Sequence, residues 1–428
     1  MLRPSIAIAI ILTARLPASQ APAESPEKML EAAIYRAKIL GDLPGAIQQF
    51  ESIAARYAGK PVAAQALTEI GQAEELLGHT AQARDAYMRI VREYPGQARF
   101  VAEAWRALES IAGATLKAEG VNWVRPQLSV SPPHRCCMGL VYDRARHATL
   151  FFGGFTPYVC FGDTWVWRNG WRQLSPATTP PARTGPGMAY DGASGNVVLF
   201  GGRDCTGASL NDTWTWDGTT WTRQFPPISP PVRWSDSQNM AFHAVTKKVV
   251  LFGGFDGIHT LGDTWTWDGL AKTWTQQFPA STPSPRRPMM AYDDATRTVV
   301  LFGGDIGGGI RNDTFYNDTW TWDGTTWTRQ SPASAPSARG MASMAYDANL
   351  GLVVLFGGAG APGGRSQDND NDTWLWNGTN WREIRPANAP TARRAAGMDY
   401  DPISNGLLLF GGFGTASHGD TWVFARVP

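Results

Sequence analysis

Four apolar runs of strand length, Val197–Phe200, Val249–Phe252, Val299–Phe302 and Val353–Phe356, each end in a pair of glycines. Continuous runs of this kind predict strands buried on both faces, whereas Trp214-Thr-Trp216 alternates with period two and predicts a half-buried strand. One whole unit, from Met188-Ala-Tyr190-Asp191 to Trp221-Thr-Arg223, reads as four short strands. Asp-Gly after Trp216, Trp267 and Trp322, with Asn169-Gly170 and Asn377-Gly378, predicts tight hairpin turns with positive backbone angles. The doubled glycines predict the end of a buried strand, at a point where backbones pass closely. Upstream the pattern changes: residues 26–118 are rich in Ala, Glu, Leu, Gln and Arg, carry apolar positions at helical spacing, and predict helices.

Leu-Phe-Gly-Gly or a variant occurs six times, at Gly153, Gly201, Gly253, Gly303, Gly357 and Gly411, in steps of 48, 52, 50, 54 and 54 residues. Such a period marks units that bury their faces only by stacking on copies of themselves. The sixth copy stops after its third strand, at Asp420-Thr-Trp422-Val-Phe424, while Gly120-Val-Asn-Trp123-Val-Arg125 matches the fourth strand of the other copies. The expected fold is therefore mainly β, a six-bladed ring closed by an N-terminal strand, preceded by a small all-α helical-repeat domain. Of 19 tryptophans, 17 fall at three places per unit, which predicts aromatic packing between blades; only Trp105 and Trp234 lie outside.

The diglycine after an apolar strand, the aromatic cluster and the period resemble the Kelch-type β-propeller family, including the galactose-oxidase-like central domain, over residues 120–428. The Asn-Asp-Thr-Trp-x-Trp signature departs from the eukaryotic pattern and is more similar to bacterial secreted Kelch-like proteins. Leu40-Gly41, Ala46, Phe50, Ile53 and Tyr57 repeat 37 residues on as Leu77-Gly78, Ala83, Tyr87, Ile90 and Tyr94. This resembles tetratricopeptide-type helix pairs. The domain boundaries read from these patterns are 1–23, 24–118 and 119–428.

Residues 1–23 follow the order of a secretory signal: basic start at Arg3, apolar Ile6–Leu12, small residues at Ala21-Pro-Ala23. The expected location is periplasmic or secreted, with no integral membrane segment in the mature chain. Its removal takes the formal charge from +1 to −1, a balance that points to no nucleic-acid partner. Cys136, Cys137, Cys160 and Cys205 all map to the face that carries the loops between second and third strands. In an exported chain they are disulfide candidates, with a bridge expected from Cys160 to Cys136 or Cys205. The spacing suggests no metal site.

Arginine opens the first strand of every unit: Arg135, Arg183, Arg233, Arg286 or Arg287, Arg339 and Arg393. Six guanidinium groups at a channel mouth would take carboxylates in two-pronged bonds. Six aspartates, Asp163, Asp212, Asp263, Asp318, Asp372 and Asp420, also recur once per unit, so structural pairing is the other reading. In the longer loops Asp368, Asp370 and Asp372 lack the fixed spacing of a calcium loop. His134, His259 and His418 share the face but do not match the copper site of galactose oxidase. No cofactor and no catalytic set is expected, and the oligomeric state is open. Two function classes follow: an exported, non-catalytic scaffold for a protein or glycan partner, or, as the resemblance implies, a sugar-acting propeller enzyme, an oxidase or mutarotase.

Overall fold

The computed structural model describes residues 25–94, 96–118, 120–236, 238–306, 314–360 and 369–426. The expected signal segment and Asp368 lie outside them. One compact unit ends at Ala104 and a second begins at Trp105.

The first unit is helical: α1 (Pro26–Lys38), α2 (Leu43–Arg56), α3 (Pro61–Leu76), α4 (Thr80–Glu93) and the start of α5 (Ala98–Ala118). Helix α1 packs on α2, α2 on α3 and α3 on α4, and α1 also packs on α3. Proline stands in the first turn of α1, α2 and α3, where its missing N–H costs nothing, and Asp42 caps α2 by accepting from the Gly45 N–H at 2.9 Å. Gly41 and Gly78 turn the chain after α1 and α3 at φ +71° and +76°. The 37-residue match becomes the seam: Ala46, Phe50 and Ile53 are buried, as are Ala83, Tyr87 and Ile90.

The second unit is a six-bladed propeller of antiparallel sheets. Blade one runs from the inner strand Gly139–Asp143 through Ala148–Phe152 and Thr164–Trp167 to the outer strand Trp171–Leu174. Blade six takes Gly397–Asp401, Gly406–Phe410 and Thr421–Arg426 from the C-terminal end and Val121–Val124 as its outermost strand. Trp123 stands opposite Phe424 and Val124 opposite Val423. The ring is thus closed by a strand from the other end of the domain, and no blade is left with a missing edge. The Val-Val-Leu-Phe strands are buried throughout and pack against tryptophans of the neighbouring blade, as Phe200 does on Trp274 and Phe302 on Trp381.

Two local expectations need correcting. In blades two to five the second strand does not end at the glycine pair but continues through a bulge, with the register shifting between Phe200 and Gly202 and at the matching places of the next three blades. At the glycine pair a bond passes between blades, the Gly202 N–H donating to the Arg233 carbonyl at 2.8 Å, and a Cβ on Gly201 would meet that same oxygen at 2.6 Å; blades one and six make the same bond, and there the strand does end, at Phe152 and Phe410. Nor is Asp217-Gly218 a two-residue turn. Only Gly218 takes a positive φ, and the Asp217 carboxylate accepts the Thr219 and Thr220 N–H groups at 2.8 and 2.9 Å, holding a longer loop.

Candidate functional site

The six arginines form a ring, but each faces inward to its own blade. Arg183 is fully buried; its Nη1 and Nη2 donate to the two Asp212 oxygens at 2.6 and 2.8 Å, Nη1 also to the Gly201 carbonyl at 2.9 Å, and Nε to the Pro181 carbonyl at 3.0 Å. The same fork joins Arg135 to Asp163, Arg233 to Asp263, Arg286 to Asp318, Arg339 to Asp372 and Arg393 to Asp420. Arg286 is therefore the ring member of blade four, while Arg287 pairs with Asp236 and Asp305. Phe161 and Tyr316 lie over the guanidinium groups of Arg135 and Arg286 at 3.6 and 3.9 Å. The forks of Arg135, Arg183, Arg233, Arg286, Arg339 and Arg393 are filled from within, so the ring as it stands presents no free fork to an outside carboxylate.

Each aspartate has a second donor. The indole N–H of the tryptophan two residues on reaches it at 2.6 to 2.8 Å in all six blades. In Asp212, Asp263, Asp318 and Asp420 burial raises the carboxyl, but the arginine's bonds and charge together with the indole outweigh it. Asp212, Asp263 and Asp318 end below the ordinary range, and Asp420 is pushed down to about 2. The intervening threonine, which the sequence reading passed over, accepts the fourth-strand tryptophan of the next blade: Trp221 on Thr164, Trp274 on Thr213, Trp327 on Thr264, Trp381 on Thr319, Trp123 on Thr373 and Trp171 on Thr421. Asp-Thr-Trp is thus one clip within a blade and one between blades.

Of the cysteines, Cys160 and Cys205 form a disulfide between the second-to-third loops of blades one and two, with Cα atoms 5.6 Å apart. Cys136 and Cys137 stay thiols, their sulfurs 2.9 Å from each other. Of the histidines, His134 lies against Gly419, next to His418, while His259 is exposed beside Asp256; His418 is half-buried, its pKa lowered by burial and by Arg393. Among the described residues no group of three metal-ligating side chains occurs.

Inside the ring the first strands enclose a channel of about 380 Å³, lined at one level by Tyr142, Tyr190, Phe242, Tyr292, Tyr346 and Tyr400. At the preceding position five blades place Val141, Ala189, Ala241, Ala291 and Ala345, and the sixth places Asp399. The Asp399 carboxylate accepts the Tyr142 and Tyr400 N–H groups at 2.7 and 2.8 Å, and burial holds its pKa above the ordinary value. A register comparison of the Met-Ala-Tyr-Asp strands would have exposed this substitution in the sequence.

A family model described as the KLHDC2/KLHL20/DRC7 Kelch-repeats domain matches residues 114–286 and, in an overlapping alignment, residues 166–328. Together the two stretches take in half of the chain. No curated protein matches it.

Proposed function

The chain belongs to the Kelch-repeat family, and from that premise we propose that it is an exported scaffold that holds a protein partner on the loop-bearing face of its propeller. The observation that carries this reading is an apolar sector on blades two and three. Phe225 and Phe278, at 80% and 84% exposure, follow the outer strands of these blades, where blades one, four and five place Ser175, Ser331 and Arg385. Ile228 and Val232 in the adjoining connection and Ile258 in the loop above are exposed as well. Large apolar side chains gathered on a rigid frame are what a docking surface needs, and Tyr158 and Val159 in the second-to-third loop of blade one extend the same face. The Cys160–Cys205 bridge supports export, since such bonds persist in oxidising compartments. The helix pairs, read as tetratricopeptide-like, would offer a second, separate surface.

A photo-crosslinking residue at Phe225 or Phe278 is expected to trap a protein in the chain's native compartment, while one at Leu270, exposed in the third-to-fourth hairpin of blade three, traps none. Equal trapping at all three positions would count against the sector. A second reading, a small polar ligand such as a sugar in the channel, has Asp399 on its side, because a carboxylate in an aromatic-lined cavity of about 380 Å³ suits a hydroxyl-rich guest. Asp399→Ala would then abolish retention of that guest without touching the crosslinks.

A further inference from the structure

Cys136 and Cys137 lie where backbone hydrogen bonds pass from blade to blade around the channel mouth. The Cys137 N–H donates to the Ala395 carbonyl at 2.9 Å, and the Gly185 N–H donates to the Cys137 carbonyl at 2.7 Å. The Ala395 N–H continues the belt to Met341, and the Ser235 N–H continues it to Gly185. Belt residues Cys137, Gly185, Met341 and Ala395 all take φ between 52° and 60°. That conformation is uncommon for side chains other than glycine. Here the surrounding bonds impose it, and it turns the Cys137 sulfur back to 2.9 Å from that of Cys136. Such a separation is closer than unbonded sulfurs take and within a small torsional adjustment of a bond of about 2.05 Å. Cys136 is buried against Phe155, and Cys137 is partly buried.

We propose that Cys136 and Cys137 are a redox-active dithiol that exchanges with external disulfides to close a bridge between neighbouring residues at the channel mouth. The Cys137 thiolate, the less buried of the two, attacks a disulfide of the surroundings, forming a mixed disulfide and releasing one thiol. The Cys136 sulfur then attacks that of Cys137 and releases the second thiol. In total two protein thiols and one external disulfide give one internal bridge and two external thiols, so two electrons leave the protein and every proton is accounted for. Contact with the Cys136 thiol, burial and the nearby Asp236 all hold the Cys137 thiol protonated, which makes the first step slow. The internal step is fast because its partner is already in place. Adjacent Cα atoms are only about 3.8 Å apart, short of the roughly 4.4 Å at which ordinary bridges begin, so this ring is strained and opens before Cys160–Cys205 does.

The test uses the full chain, reduced and then brought to equilibrium in graded mixtures of reduced and oxidised glutathione, alkylated and digested with trypsin. The peptide Cys136–Arg144 carries both sulfurs. It should lose both alkylation sites together, lighter by two hydrogens, at an oxidised-to-reduced ratio about tenfold or more above the one that closes Cys160–Cys205. In Cys136→Ser the remaining Cys137 should stop at the glutathione adduct. The proposal is overturned if both thiols still alkylate in oxidised glutathione alone, if the glutathione adduct accumulates in the unaltered chain, or if Cys136 is found joined to Cys160 or Cys205.

Discussion

The helical unit and the propeller are both built by repetition, yet they join their copies by different chemistry. In the helices the buried positions are mainly apolar, Ala46, Phe50 and Ile53 and their counterparts Ala83, Tyr87 and Ile90 among them; polar links between helices, such as Arg89–Glu51 and Lys38–Glu69, involve partly exposed side chains. In the propeller every blade adds polar clips, and these run round the whole circle. The chain of tryptophan-to-threonine bonds returns through Trp123 on Thr373 and Trp171 on Thr421, and the glycine-to-arginine backbone bonds return through Gly412 on Arg135. A stack has ends and loses contacts locally. A closed ring has none, so a broken clip is felt by blades that never touched the altered residue.

The sharpest way to break this contrast is Asp212→Ala. It leaves the charge of the fully buried Arg183 uncompensated, with Nη2 stripped of its acceptor and Nη1 keeping only the Gly201 carbonyl, and Trp214 without its acceptor, a loss of about 3–5 kcal/mol. Hydrogen exchange followed by mass spectrometry should show protection falling in the neighbouring blades as well as in blade two, with α1 to α4 unchanged. Arg183→Met with Asp212→Leu, which removes both charges, should regain most of the loss. A single-variant cost within about 1 kcal/mol, the worth of an ordinary surface pair, would place the ring on the same footing as the helices.

Acid gives a second, smaller effect with a defined sign. Asp420, at about 2 when folded, and Asp212, Asp263 and Asp318, also lowered, lie below the unfolded value near 3.9. Their stabilisation is complete above about pH 4 and is lost as pH falls towards 2. Asp293 has the opposite sign: burial raises it to about 6, so the folded chain takes up a proton that the unfolded chain does not, and stability rises as pH falls from 6 to 4. Urea unfolding followed by tryptophan fluorescence should therefore show stability falling as pH drops below about 4, and between pH 6 and 4 the gain from Asp293 set against a loss from His243 and His418, whose pKa values burial lowers. Asp293→Asn should remove that gain and leave the fall below pH 4 unchanged.

The part of this that the sequence showed is the part that repeats with a fixed spacing. Blade number, the closing role of Trp123 and the helix seam all follow from residues recurring at constant intervals. The one-to-one Arg and Asp count already hinted at pairing. What stayed hidden depends on contacts between copies: the threonine of Asp-Thr-Trp looks like ordinary strand filler until the next blade's indole stands 2.8 to 3.2 Å from it. Bulges hide as well, because the same glycine pair ends the strand in blades one and six and is carried through it in blades two to five. The belt at the channel mouth has no shared residue type at all, as Cys137, Gly185, Met341 and Ala395 have only a backbone conformation in common.

The smallest test asks whether the helical stack really is local. Gly41 and Gly78 both hold positive φ, and a Cβ at either would meet nothing within 4 Å. Gly41→Ala therefore pays only for the left-handed backbone, about 1–2 kcal/mol. The same holds for Gly78→Ala, one repeat further on. In a stack without polar relays the two should add, to within about 0.5 kcal/mol, when amide protection in α1 to α4 is followed by hydrogen exchange, and the blades should not respond. A double variant that departs from the sum by more than that would mean the helix pairs are coupled as tightly as the blades, and closure of the ring would no longer be what separates the two regions.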